Sequence, residues 1–529
     1  MAATSPAESH SQSSATPLKS SWAKSVLPIL PVLLPMAVSL ITGLIGLDFG
    51  RHWDEPYNMG FIATAIRSHV LLPRYYNYPS VMFWLIFASL LPVLPGAIRS
   101  ENFHLIDYVQ SNAALLNTRI VFLVISTLAI VWVYLLVLVW RKNWKEALLS
   151  ASVLGLSWEV NYHIRWVTPD GIMMQFAALT LLFLVLAIYR PGSKFFWLKA
   201  AAIAAGLTTG SKYTAALLIV PLLLTLYLTW DHKALFRTLI LPAAQLCFIM
   251  GLTYLITTPG TVLDPVNFLE GLKLQLRIYS HGHEVHTING GSEHFLRMMQ
   301  FFSLVLFSPF APIALIFFLF VLVGAYATWK ENWNLALVIL AFPVLYILYF
   351  STQRAMILRN QLIVIPFLAV LVGRGVAYVV EQLRNPMARR VVASVVAALL
   401  IVNGVWLFYA AQTIVDRSTD RFTREFAAYI SAHPNEHVYV TPAVMTDLAL
   451  VGMKASSNLN SSLDDADLAA FYGLKDALEC IPANRPDTIL RWFGPLEVDY
   501  SYYTTWPGND RIVLMRGDQA RQLPCFKDK

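Results

Sequence analysis

The sequence predicts a polytopic, all-helical membrane protein that ends in a small extracytoplasmic α/β domain. Three observations carry this. Of 529 residues, 57% are apolar and only 13% charged, where a soluble protein carries roughly a quarter charged. The mean hydropathy is +0.56, so lipid rather than water solvates most of the chain. Last, apolar runs long enough to cross a bilayer recur along about four fifths of the sequence, and the remainder has strand-like runs instead.

Residues 1–25 are rich in Ser and Ala with almost no large apolar side chains, which predicts a disordered cytoplasmic tail. A retained anchor follows at 28–47, with no small-residue cleavage site, and Lys19 and Lys24 place its start in the cytoplasm. Further spans are expected at 118–140, 147–163, 171–189, 197–210, 213–230, 237–256, 309–328, 334–350, 360–380 and 391–410, about eleven crossings in all. The run 78–96 is left over. If it crossed, the basic stretch RKNWK at 141–145 would lie outside; laid along the outer interface, it lets five basic loops stay inside. The expected organisation is therefore 1–25 tail, 26–410 membrane domain with interfacial helices, and 411–529 a soluble outer domain containing strands such as HVYV and RIVLM. The expected location is the cell (inner) membrane, with the N-terminus cytoplasmic.

A net charge of +7 does not point to nucleic acid, because the basic residues form small groups between apolar runs and no continuous stripe. Of three cysteines, Cys247, Cys480 and Cys525, only the last two are placed to pair, which an oxidising compartment would permit.

Chemistry is expected on the outer face. Asp54 and Glu55 directly follow the anchor, where carboxylates are costly unless they act or find partners. A shielded carboxylate can take a proton from a hydroxyl, and a solvated loop turning at Pro56 is the plain alternative. Asp170 beside Pro169 suits a helix N-terminus, or else joins Asp54 with Arg165 as an internal counter-ion. Lys212, in a Gly-Ser turn that fails the P-loop spacing, either snorkels or neutralises a lipid-linked phosphate, as Arg354 and Arg359 on another outer turn can. The run HGHEVHTINGGSEH, with His281, His283, Glu284, His286, Glu293 and His294, matches no standard zinc spacing, and a polar loop explains it as well.

Taken in order, WDEPY, YNYPSVMFWL, RWVTPDG, GSKYTAALLIVPLL, TTPGTVLDPVNFL and RNQLIVIPFLAVL resemble the bacterial and archaeal relatives of dolichyl-phosphate-mannose protein mannosyltransferases. These belong to the GT-C glycosyltransferases, which include the aminoarabinose transferases acting on lipid A. The resemblance implies a GT-C fold, a polyprenyl-phosphate sugar as donor and a hydroxyl acceptor of lipid, glycan or protein type. It implies inverting transfer by a hexosyl- or pentosyltransferase; since the leaving group already carries its own acidic phosphate, no cofactor is required, and a divalent metal is permitted but not indicated. By the same resemblance Asp54 is the base, Glu55 a positioning group, Asp170 the second outer acid, and Lys212 and Arg359 the donor-phosphate cations. Arg354 rests on location alone. The family often has two prolines where this chain has Tyr78, Pro79 and Ser80, and no long insertion carries a sugar-recognition module. The rival function class is a transporter or lipid-linked sugar flippase, against which the lopsided layout of loops argues.

Overall fold

The computed structural model describes residues 28–49, 54–99, 104–230, 234–283, 286–416, 419–453, 457–460, 462–472, 489–493, 512–523 and 526. The expected tail at 1–25, Glu284, Cys480 and Cys525 lie outside them.

Every apolar run singled out above is helical. Seven helices among the described residues are long and apolar enough to cross a membrane: Asn112–Arg141, Pro169–Tyr189, Phe236–Thr257, Ala311–Glu331, Trp333–Ser351, Leu358–Gln382 and Pro386–Val415. The other expected spans are shorter or broken. Leu30–Leu44 and Tyr213–Leu228 fall below that length, and Lys194–Thr209 has 16 residues. The run 147–163 divides into Trp144–Gly155 and Trp158–His163. Ser157 causes the break: it caps the second helix by accepting from Val160 N, and its own hydroxyl donates to Leu306 O at 2.7 Å.

The leftover run holds a helix of nine residues, Val81–Ser89, about 14 Å long against a hydrocarbon core of about 30 Å. It is tied down at both ends. Trp84 Nε1 donates to Thr257 O at 2.9 Å, a terminal carbonyl of the helix Leu241–Thr257, and Ser89 O accepts from Asn117 Nδ2 at 2.6 Å.

Burial ranks the helices. Pro169–Tyr189 is apolar all round and buried over 78% of its most apolar window, so it stands at the centre; Phe236–Thr257 and Pro386–Val415, at 17%, are peripheral. The helices Ala311–Glu331 and Ile365–Gln382 cross through facing glycines: a Cβ on Gly324 would stand 1.9 Å from Leu371 O, and one on Gly375 2.1 Å from Phe320 O. Gly324→Val is accordingly expected to force the pair apart at a cost of about 1–3 kcal/mol, read as a lower melting temperature in detergent. An unshifted melting curve would show that the crossing has slack.

The bundle has two chemically distinct ends. At one, Arg141 pairs with Glu146 (3.2 Å), Glu331 and Glu381 (3.2 Å), while Arg374 pairs with Glu331 (3.2 Å) and Glu381 (3.1 Å), tying the ends of four helices together. Since Pro169–Tyr189 and Lys194–Thr209 run antiparallel, Asp170 and Lys212 meet at the other end.

The helix Pro386–Asp416 runs past residue 410. Beyond it lies a mixed sheet in the order β2-β1-β3-β5-β4, with β1 Val438–Val440, β2 Leu459–Asn460, β3 Leu468–Tyr472, β4 Ile489–Phe493 and β5 Ile512–Arg516. β1 is parallel to β2 and β3, and β5 is antiparallel to β3 and β4. β3 is buried on both faces: Leu468, Ala470 and Tyr472 pack against Phe422, Phe426 and Ile430, while Ala469 and Phe471 pack with Phe526.

Candidate active site

Four separated segments supply one cluster of charges, each at a helix boundary. Asp54 is the N-cap residue of Glu55–Ser68, yet its carboxylate makes no capping bond and reaches Arg359 of another segment instead. Asp170 lies in the first turn of Pro169–Tyr189, where the helix dipole favours a carboxylate. Lys212 follows Lys194–Thr209, held extended at the start of the 3-10 turn Tyr213–Leu218. Arg359 and Asn360 belong to the 3-10 segment Leu358–Val364.

The side chains meet as a continuous series. Arg359 Nη2 lies 2.5 Å from Asp54 Oδ2, and its Nε lies 3.3 Å from Asp170 Oδ2. Lys212 Nζ is 2.7 Å from Asp170 Oδ1 and 2.5 Å from Asn360 Oδ1. Two acids and two cations leave the cluster neutral. Only Asp54 opens toward solvent, with 25% of its side chain exposed against 8% or less for the other three charges.

The segment Tyr76–Ser80 straps across this cluster. Tyr213 Oη donates to Tyr76 O at 2.8 Å, and Val81 N donates to Gly210 O at 2.9 Å. Gly271 admits the strap, since a Cβ there would stand 2.6 Å from the Tyr76 carbonyl carbon. Tyr78 thereby comes to stand beside Arg359 and to hold Lys212 Nζ 5.6 Å from its ring centre. Burial and then the Asp54 carboxylate push the Tyr78 phenol above its usual range, so it stays neutral.

Three residues expected at the site face elsewhere. Glu55 is fully buried and takes a two-pronged contact from Arg119, Nε to Oε1 at 2.9 Å and Nη2 to Oε2 at 2.5 Å, and its Oε1 also accepts from Val167 N at 3.0 Å. As adjacent residues at a helix start, Asp54 and Glu55 point apart. Glu55 therefore holds the Asp170 loop and the Asp54 helix together without touching the charge series. Arg165 corrects the expectation of a counter-ion: its guanidinium donates to Thr42 O (2.6 Å), Ile45 O (2.8 Å) and Asn161 Oδ1 (2.8 Å). The unsatisfied carbonyls at the end of Leu33–Leu44 claim it. Arg354 is exposed, and its backbone is what is fixed, Arg354 N donating to Tyr279 O and Arg354 O accepting from Ile288 N, each at 2.8 Å.

The histidines separate as well. His294 is buried and hydrogen-bonds Gln353 O through Nδ1 at 2.8 Å, while His281 contacts Arg277 O and Ser280. Among the described residues no three His, Cys, Asp or Glu side chains converge as metal ligands would.

Arg119 is the residue that sequence reasoning missed most plainly. A lone Arg at the start of an apolar run is costly unless paired, and that was the available signal; here it also donates to Leu47 O at 2.7 Å and lies 3.8 Å over the Phe49 ring. Arg119→Ala would leave Glu55 buried without its guanidinium, at an expected cost of about 3–5 kcal/mol. Thermal unfolding in detergent checks this, and an unchanged melting temperature would mean that the Arg119–Glu55 pair does not hold the fold together.

Residues 106–258, which include Asp170 and Lys212, match the family model described as dolichyl-phosphate-mannose-protein mannosyltransferase. The apo crystal structure of ArnT from Cupriavidus metallidurans superposes with a TM-score of 0.52 at 13% identity, covering 94% of this chain and 98% of that one. The chain has a GT-C fold. The same ArnT bound to undecaprenyl phosphate gives a TM-score of 0.50 at 13% identity over 92% and 98% of the two chains. No curated protein matches in sequence. The GT-C architecture and the small terminal sheet agree with the expected fold class.

Proposed function

We propose that this GT-C protein is a membrane glycosyltransferase that moves a sugar from a polyprenyl-phosphate donor to a hydroxyl acceptor on the extracytoplasmic face. The observation that carries the reading is the charge series itself: Asp54, Arg359, Asp170 and Lys212, from four segments, within ion-pair distance at one end of the bundle. The match to the mannosyltransferase family model and the undecaprenyl phosphate held by ArnT favour a lipid-phosphate donor.

In this reading Asp54 is the base because it is the acid open to an incoming acceptor. The acceptor oxygen forms a bond to the anomeric carbon while its proton passes to the Asp54 carboxylate. The bond from the anomeric carbon to the phosphate oxygen breaks, and its electron pair leaves with the polyprenyl phosphate. Attack opposite the leaving group inverts the anomeric centre. Lys212 and Arg359 neutralise the departing phosphate, and fixed charges in a site shielded from water act without reorganising. In the resting protein both cations are engaged by carboxylates, so the donor phosphate draws Arg359 away from Asp54 and releases the base. The sugar-phosphate bond supplies the free energy, and the scheme calls for no cofactor.

The test is release of polyprenyl phosphate from a labelled polyprenyl-phosphate sugar by the purified full-length protein, with and without a hydroxyl acceptor. Acceptor-dependent release is the expected result. Binding and movement of the intact lipid across a vesicle membrane, without cleavage, would replace transfer by transport.

A further inference from the structure

Asn360 stands beside the charge series and is not one of its ions. Its Oδ1 lies 2.5 Å from Lys212 Nζ. An ammonium only donates, so the amide is held with its oxygen toward Lys212 and its NH2 turned away. That NH2 is buried, in a residue 1% exposed, and has no hydrogen-bond partner. Tyr346 Oη donates to Asn360 O at 2.8 Å, which fixes the backbone beneath the amide, and the Tyr279 hydroxyl stands beside it.

A second group is left incomplete next to it. Asp170 binds the same ammonium through Oδ1 at 2.7 Å, while its Oδ2 has only the 3.3 Å ion pair with Arg359 Nε and accepts no hydrogen bond. Two groups that share one ammonium are close neighbours. An unmet donor, Asn360 Nδ2, and an unmet acceptor, Asp170 Oδ2, therefore belong to two side chains that meet at Lys212, among the donor-phosphate cations. Buried polar atoms left unmet are costly, and a single ligand group completes both only if it accepts and donates at once.

We propose, resting on the glycosyl-transfer reading, that a ring hydroxyl of the donor sugar is that group, accepting from Asn360 Nδ2 and donating to Asp170 Oδ2. Asn360 then selects a sugar with a hydroxyl at this position over one with an ammonium there. An ammonium would satisfy Asp170 but meet the Asn360 NH2 donor to donor, and would add a third cation beside Lys212 and Arg359. A ring position lacking any polar group would satisfy neither. A site built around a hydroxyl rejects the analogue without it far more strongly than an apolar pocket rejects a missing methylene.

The experiment compares binding of undecaprenyl phosphate, undecaprenyl-phosphate mannose and glucose, and analogues of both with one ring hydroxyl at a time replaced by an amine. The full-length wild-type protein and Asn360→Asp are titrated in detergent. What is read is the affinity of each sugar lipid relative to the bare lipid phosphate, which cancels the effect of the new charge on phosphate binding. At one ring position the wild type is expected to favour hydroxyl over amine by tenfold or more, and Asn360→Asp, whose second oxygen accepts from an ammonium, to reverse that order. Should the Asp variant not accumulate, Asn360→Ser is expected to abolish the preference. The same hydroxyl-to-amine ratio in wild type and variant, or a wild-type preference for the amine at every position, overturns the proposal. Failure of the wild type to bind bare undecaprenyl phosphate overturns the donor reading, and this inference with it.

Discussion

Asp54→Asn is expected to lower acceptor-dependent transfer by about 10²–10⁴-fold, the usual contribution of a positioned general base, while the protein still inserts and melts as before. The amide keeps the shape of the carboxylate but cannot take the acceptor proton. Folding should survive because Asp54 is the one exposed member of the series and Arg359 retains Asp170 at 3.3 Å. Initial rates of polyprenyl phosphate release, alongside a melting curve, separate the two effects. Undiminished turnover in Asp54→Asn would remove the base from this position.

Asp170→Ala is expected to damage both stability and activity. Asp170 is fully buried and, among the described residues, is the one acid paired with both Lys212 and Arg359, so its loss removes the carboxylate from Lys212 and one of two from Arg359. Removing one partner of a buried ion pair costs about 3–5 kcal/mol, a large part of the stability of most proteins. The melting temperature in detergent should fall well below that of Asp54→Asn, and transfer should be lost in whatever protein remains folded. If the two variants melt alike, the buried pair does not bear on folding and Asp170 serves the reaction only.

These contrasts show what the sequence makes legible. Helices were readable because each apolar run must satisfy its backbone internally in lipid, and the site end was readable because Asp54, Asp170, Lys212 and Arg359 fall where runs stop. The breaking of 147–163 at Ser157 was not, since a serine inside an apolar run becomes a cap only once Leu306 O is there to receive its hydroxyl. Arg165 and Arg359 look alike in sequence, each a cation beside a span end. Which one meets Asp170 depends on the carbonyls of Thr42 and Ile45, 120 and more residues earlier. Glu55, expected as a positioning group, is bound by Arg119 and Val167 N while its neighbour Asp54 reaches the site, because adjacency in sequence is divergence on a helix; the partners that hold it are not legible in the sequence. Asn360 carries no charge to single it out, and its importance arises from the direction that Lys212 imposes on its amide.

The most direct test of the central claim is an experimental structure of the full-length protein with undecaprenyl phosphate bound. The account expects the phosphate at hydrogen-bonding distance from Lys212 and Arg359, with Arg359 drawn off Asp54 and the Asp54 carboxylate left facing the acceptor side. A phosphate bound elsewhere, with the Asp54–Arg359 and Asp170–Lys212 pairs undisturbed, would contradict it and leave the four charges as a structural clamp.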